Sequence, residues 1–144
     1  MRRKPEVLLA AFLAAIPPGA RAADVQVGNA WFRALPAGLP AAGYFVLRNT
    51  GRGAATLTAA QSPACGMLML HQSTSENGTS SMSELSGVVV PAHGRIAFAP
   101  GGYHLMCMNP DEGLSPGKHV PVTLEFADGT KVNADFTVKN ARGK

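Results

Sequence analysis

Two histidines and two methionines, His71, Met82, His104 and Met106, stand in the pattern H-x10-M-x21-H-x-M. A thioether is a soft, uncharged donor, and together with imidazole it suits Cu(I) better than the hard cations that take carboxylates and carbonyls. The pattern therefore points to a reduced copper ion. Its short end, His104-Leu105-Met106, also carries structural information, because residues two apart on a strand face the same way and both donors can reach one point. His71 and Met82 must be brought there by other parts of the fold.

The elements that could position these donors are short strands separated by Gly, Pro and Asn, with no helical period. Strands are predicted at Val25–Phe32, Ala42–Asn49, Ala54–Ala60, Cys65–Gln72, Met82–Leu85, Arg95–Phe98, Tyr103–Met108, Val120–Phe126 and Lys131–Val138. Asn49-Thr50-Gly51 and Ala127-Asp128-Gly129-Thr130 read as turns, and Leu35–Pro40 as a loop. Val122, Leu124 and Phe126 alternate with Thr123 and Glu125, as expected of a half-buried strand. Eight or nine such strands argue for an all-β antiparallel sandwich or barrel. Ser73–Ser81 is small and polar and is expected to be a mobile loop, with His71 and Met82 on its two shoulders. Asn77-Gly78-Thr79 inside it matches a glycosylation acceptor, a motif too short to weigh much.

Individual side chains divide between ligand and packing roles. Met82 lies between Ser81 and Ser83, where a purely apolar role is not expected, whereas Met67 and Met69 read as fillers of core gaps. His104 follows Gly101-Gly102-Tyr103, whose glycines permit a sharp entry into the strand. Met108 continues the face of His104 and Met106, as a spare donor or as packing beneath the site. His93 and His119 stand in Pro- and Gly-flanked turns and read as exposed.

Residues 1–22 read as a secretory signal peptide. Arg2, Arg3 and Lys4 form a basic start, Val7–Ile16 is an apolar run too short to span a bilayer, and Ala20-Arg21-Ala22 is a cleavage site. The expected mature chain, 23–144, is long enough for one domain with its own core. The whole chain carries 13 Lys+Arg against 9 Asp+Glu; without Arg2, Arg3, Lys4, Arg21 and Glu6 the balance is 9 against 8. No basic face remains to suggest nucleic acid, and no further apolar run suggests membrane insertion after cleavage. In an oxidising compartment Cys65 and Cys107 are expected to form a disulfide, with copper ligation or a free thiol pair as competing readings. Regular register would turn Cys107 away from His104 and Met106, while Cys65 shares the parity of His71 and reaches the other face only through a bulge or twist.

The four donors at these spacings, with Pro100-Gly-Gly-Tyr-His-Leu-Met106 around the last two, resemble the signature of the periplasmic PCuAC family of copper chaperones. Ala30-Trp31-Phe32-Arg33, Tyr44-Phe45, Ser62-Pro63 and the Val120–Gly129 arm fit as well. The resemblance implies a cupredoxin-like antiparallel β-sandwich with Greek-key connections that holds Cu(I) near its surface. It further implies delivery to the CuA-bearing subunit of cytochrome c oxidase, or to another periplasmic copper-handling protein. Many members place a second Met just after the first histidine, where this chain has Gln72 and Ser73. A carrier of this kind is expected to be a periplasmic monomer, because its site must stay accessible.

Two other readings compete. Blue copper electron-transfer proteins share the fold class but need two His, a Cys thiolate and a weak Met, an order that Cys107 and the histidines here do not suit. A plain interaction sandwich would have the four residues merely pack. An enzyme is not expected, since the chain has no nucleophile elbow, no HExxH and no carboxylate pair placed for acid–base work, and Asp111-Glu112 reads as a solvated turn.

Overall fold

A computed structural model describes residues 24–144; the leader predicted at 1–22 lies outside the described residues. Ten strands follow in order: β1 Val25–Arg33, β2 Ala41–Asn49, β3 Ala55–Gln61, β4 Cys65–Glu76, β5 Thr79–Glu84, β6 Val88–Val90, β7 Arg95–Phe98, β8 Tyr103–Pro110, β9 His119–Phe126 and β10 Lys131–Lys139. The Leu35–Pro40 loop holds a single 3-10 turn, Pro36–Gly38. The chain is thus all-β, as expected from its punctuation by turn residues.

Hydrogen bonding joins the strands in the order β5-β4-β8-β2-β1-β10-β9-β3-β6, with β7 paired to β2. The sheet is not closed, because β5 and β6 remain as its two ends. It folds back on itself so that β3 packs against β4 and β6 against β2. Between the layers lie Phe32, Phe45, Leu47, Leu57, Leu105, Leu124 and Phe136, all essentially without solvent contact. Cutting any of these leucines to alanine costs about 2–5 kcal/mol by lost transfer energy and an unfilled cavity. On β9 the predicted alternation is observed: Val120, Val122, Leu124 and Phe126 point inward while His119, Pro121, Thr123 and Glu125 alternate with them. Asn49 is also buried at the end of β2, and its side chain donates to the carbonyls of Gly53 and Val90 and accepts from the Gly51 amide. That one amide closes the predicted Asn49-Thr50-Gly51 turn and ties β2 to β6 across the core.

Three expectations are corrected. The polar stretch Ser73–Ser81 is not a loop: β4 runs on to Glu76 and pairs with β5 from Thr79, around a two-residue turn at Asn77-Gly78. Both turn residues have positive φ, 50° and 75°, the conformation that matches strand twist and that Asn-Gly adopts readily. The hairpin escaped the pattern reading because both its arms are polar and mostly exposed, leaving no apolar alternation to see. Second, the pairing is not wholly antiparallel, since β1 and β10 run parallel through Trp31↔Thr137, Phe32↔Val138 and Arg33↔Lys139. Such a pair joins strands from opposite ends of the chain, so no local turn announces it. Third, β6 is a tenth strand, too short at three residues to carry a period.

Candidate metal centre

β4 and β8 are antiparallel and in unbroken register from Met67↔Met108 to Gln72↔Tyr103, and His71 lies directly opposite His104. Because opposed residues share a face, three like pairs line one side of this ladder: His71 with His104, Met69 with Met106, and Met67 with Met108. The other side of the same strands carries Leu70, Leu105 and Cys107, all buried. On β5, Glu84 faces His71 and Met82 faces Ser73, so Met82 sits diagonally from His71. Diagonal neighbours lie roughly 7–8 Å apart, their Cβ atoms somewhat closer, within reach of a long side chain. The fold therefore brings His71, Met82, His104 and Met106 onto one patch. His71 occupies the middle of a strand, where the sequence placed it at a strand's end.

The two imidazoles meet edge to face, with ring centroids 5.6 Å apart. His104 is only 3 % exposed. Its Nδ1 lies 3.2 Å from the Gly102 carbonyl, which also accepts the Ser73 amide at 3.0 Å. A carbonyl can only accept, so Nδ1 carries the hydrogen and Nε2 carries the lone pair. That Nε2, and Nδ1 of His71, are buried nitrogens with no hydrogen-bond partner. Burial holds His104 below the usual histidine pKa, and the proximity of His71 adds to this; the Gly102 carbonyl opposes it. The ring is thus neutral at pH 7 with its lone pair available. Backbone orientation of the far nitrogen and an unsatisfied near nitrogen are what a metal-ligating histidine requires.

Around the histidines the patch carries one carboxylate and several thioethers. Glu84 shares the row of the histidines, but among the described residues no three His, Cys, Asp or Glu side chains come together in a way that could hold a metal ion. The soft side chains on the same face are thioethers. Met82 is 53 % exposed at the hairpin, and Met106 is half-buried beside His104. Neither belongs to the core or packs against it, and the same is true of Met67, Met69 and Met108. Core filling is therefore not the role of Met67 and Met69. Their parity, shared with His71, already placed them on its face in the sequence. Arg33, Ala42, Met106 and Met69 are successive register partners across four strands, and the Arg33 guanidinium rests on Trp31 and Tyr44 at 5.4 and 5.5 Å.

Cys65 and Cys107 form a disulfide, with Cα atoms 5.4 Å apart. Cys107 points inward, as its parity predicted. The register runs on unchanged to Cys65↔Pro110; beside it Asn109 turns to φ 50° and Gly66 packs so closely that a Cβ there would meet that of Asn109 at 3.0 Å. The remaining histidines stay apart. His93 is exposed in its turn, and exposed His119 pairs with Asp135 at 3.0 Å. Asp111 and Glu112 are exposed, with Asp111 closing a turn onto the Gly113 amide. A separate cleft of about 610 Å3, lined in part by Leu35, Leu39, Leu114 and Arg142, contains none of the histidines or methionines.

The family described as "Putative lipoprotein LpqE-like" matches residues 25–138. "Putative lipoprotein Lxx21020" of Leifsonia xyli subsp. xyli (strain CTCB07) is 39 % identical over 127 residues, covering 88 % of this chain and 76 % of the relative. Among solved structures, the copper-bound PCuAC domain from PmoF2 superposes with a TM-score of 0.68 at 20 % identity, over 81 % of this chain and 93 % of that one. The solution structure of CuI-DR1885 from Deinococcus radiodurans gives 0.64 at 28 % identity, over 90 % and 83 %. The chain belongs to the LpqE-like family and has a PCuAC-like β-fold.

Proposed function

We propose that this protein is an exported copper carrier that holds Cu(I) on the outer face of β4, β5 and β8 through His71, Met82, His104 and Met106. The observation that carries the reading is the pair of buried imidazole nitrogens, His71 Nδ1 and His104 Nε2, left without partners on opposed residues of one ladder. A buried polar atom without a partner costs about 1–3 kcal/mol, a cost that a bound metal removes. Two imidazoles and two thioethers bring no negative charge, so they favour Cu(I) over Cu(II) and bind it without the electrostatic grip that would hinder release. The copper in the PCuAC domain of PmoF2 and in CuI-DR1885 supports the same cargo here.

Copper is the substrate, and transfer is ligand exchange without redox change. A thiolate or imidazole of the acceptor displaces one thioether while the other donors still hold the ion. Met82, the exposed donor on the hairpin, leaves first. The acceptor is the CuA-bearing subunit of cytochrome c oxidase or another copper-handling protein. Residues 1–22 serve as the cleaved leader, 23–144 form the copper-binding domain, and the monomeric carrier works in the periplasm. The disulfide weighs against an electron-transfer cupredoxin, since neither cysteine offers the thiolate that a blue copper site uses. The absence of the methionines from the core weighs against a plain interaction sandwich.

The test is an anaerobic Cu(I) titration against a competing chromophoric chelator, on the mature protein and on the His104→Ala/Met106→Ala variant. A tight first equivalent in the parent, lost in the variant, is the expected result. Equal affinity in both would overturn the assignment.

A further inference from the structure

One copper ion at the histidine pair does not account for the methionines. All five that follow Met1 lie on the same outer face of three adjacent strands, Met82 on β5, Met67 and Met69 on β4, Met106 and Met108 on β8. Methionines used for packing would share the inner face with Leu70 and Leu105, yet none of the five is in the core or packed against it. Instead they extend the ladder away from the histidines: the row beyond His71↔His104 is Met69↔Met106, and the next is Met67↔Met108. Directly opposed Cβ atoms are roughly 4.5–5.5 Å apart, and the unbranched methionine side chain can swing its sulfur toward a common point. Met67 is 56 % exposed, which gives this end of the ladder open access to solvent.

We infer that Met67, Met69 and Met108 form a second Cu(I) site, built of thioethers alone, beside the histidine pair. Three neutral sulfur donors select a soft monovalent ion and have little to offer Zn(II), Mg(II) or Cu(II). The inference deepens the proposed function in one respect, since it gives the carrier capacity for a second ion, but it rests on different residues and can stand without it.

Cu(I) supplied anaerobically to the mature protein, with methionine methyl groups labelled with 13C, tests the site by chelator competition and by the methyl NMR signals together. The parent is expected to take two equivalents. The methyl signals of Met82 and Met106 move with the first, and those of Met67 and Met108 with the second. Met67→Leu/Met108→Leu keeps similar apolar volume on an outer face and is expected to lose the second equivalent only. His71→Ala is expected to retain one equivalent that moves Met67 and Met108. Uptake that stops at one equivalent with the Met67 and Met108 signals unmoved would overturn the second site, as would two equivalents in Met67→Leu/Met108→Leu. If Met67 and Met108 respond while Met82 and Met106 do not, the thioether site stands and the histidine site falls.

Discussion

The outer faces of two antiparallel ladders in this protein are built on opposite rules. On β9 and β10, side chains are answered by complements: Thr123 donates to Asn133 at 2.9 Å, Lys131 meets Glu125 at 3.5 Å, and His119 meets Asp135 at 3.0 Å. On β4 and β8 they are answered by copies, histidine by histidine and methionine by methionine. A complementary ladder satisfies itself and has no need of a third party. A ladder of like donors leaves its lone pairs unclaimed, and at the histidines they are buried as well. The difference between His119 and His104 shows the consequence: one is an exposed partner of a carboxylate, the other a buried ring fixed by a carbonyl, with an unpartnered nitrogen and a second imidazole beside it.

The largest effect is expected from the brace beneath the β4–β8 ladder. Cys65 and Cys107 are 42 residues apart, and opening that loop in Cys65→Ser/Cys107→Ser should cost about 4 kcal/mol on the chain-entropy estimate. Denaturant unfolding measures it. Under conditions where the variant is folded, its Cu(I) affinity should be close to that of the parent, because Cys107 lies on the face away from the donors.

Next in size is removal of one copy from the histidine pair. His104→Ala should weaken Cu(I) binding by more than the roughly 10–100-fold that loss of an outer-shell partner costs, since it deletes a donor of the proposed site. The same competition titration reads it. Preserved affinity would mean that the repeated pair is incidental.

Acid should separate the two ladders more gently. Burial lowers the pKa of His104 in the folded state, so the unfolded chain binds the extra proton more readily. Its contribution to stability is present above about pH 6.5 and is lost as pH falls through the lowered folded value. Thermal midpoints of the metal-free protein should therefore drop on acidification, and Cu(I) affinity should drop with them as protons compete for Nε2. In His104→Gln this component of the pH dependence should vanish.

The smallest effect belongs to the complementary ladder. Asp135→Asn removes an exposed pair and should change stability by less than about 1 kcal/mol, with Cu(I) affinity unaltered. A large loss of copper binding would show that the two faces are coupled.

Much of this was legible in the residue order. Strand after strand matched its apolar alternation within a residue or two at most ends, because the inward positions of β2, β8 and β9 must be apolar to fill a core. The candidate donors also stood out in the sequence, since Met82 among serines and His104 two residues before Met106 are at odds with simple packing, and the fold places them on one face. The parity of Cys107 foretold its inward direction. The Ser73–Ser81 hairpin was not legible from polarity, although Asn77-Gly78 held the turn signal in plain view.

Sequence alone, then, determined which atoms are chemically available: two imidazoles, five thioethers after Met1, and two cysteines, on strands whose period of two dictates which residues share a face. It could not determine which strands become neighbours, because pairing partners tens of residues apart are chosen by how the whole apolar set packs. Tertiary structure made β4 and β8 adjacent, set their register so that His71 meets His104, and gathered the methionines of three strands onto one face. It also paired β1 with β10 in parallel and brought Cys65 within bonding distance of Cys107. Donor type is a property of single residues, whereas an unsatisfied pair of donors exists only once the core has fixed two distant strands side by side.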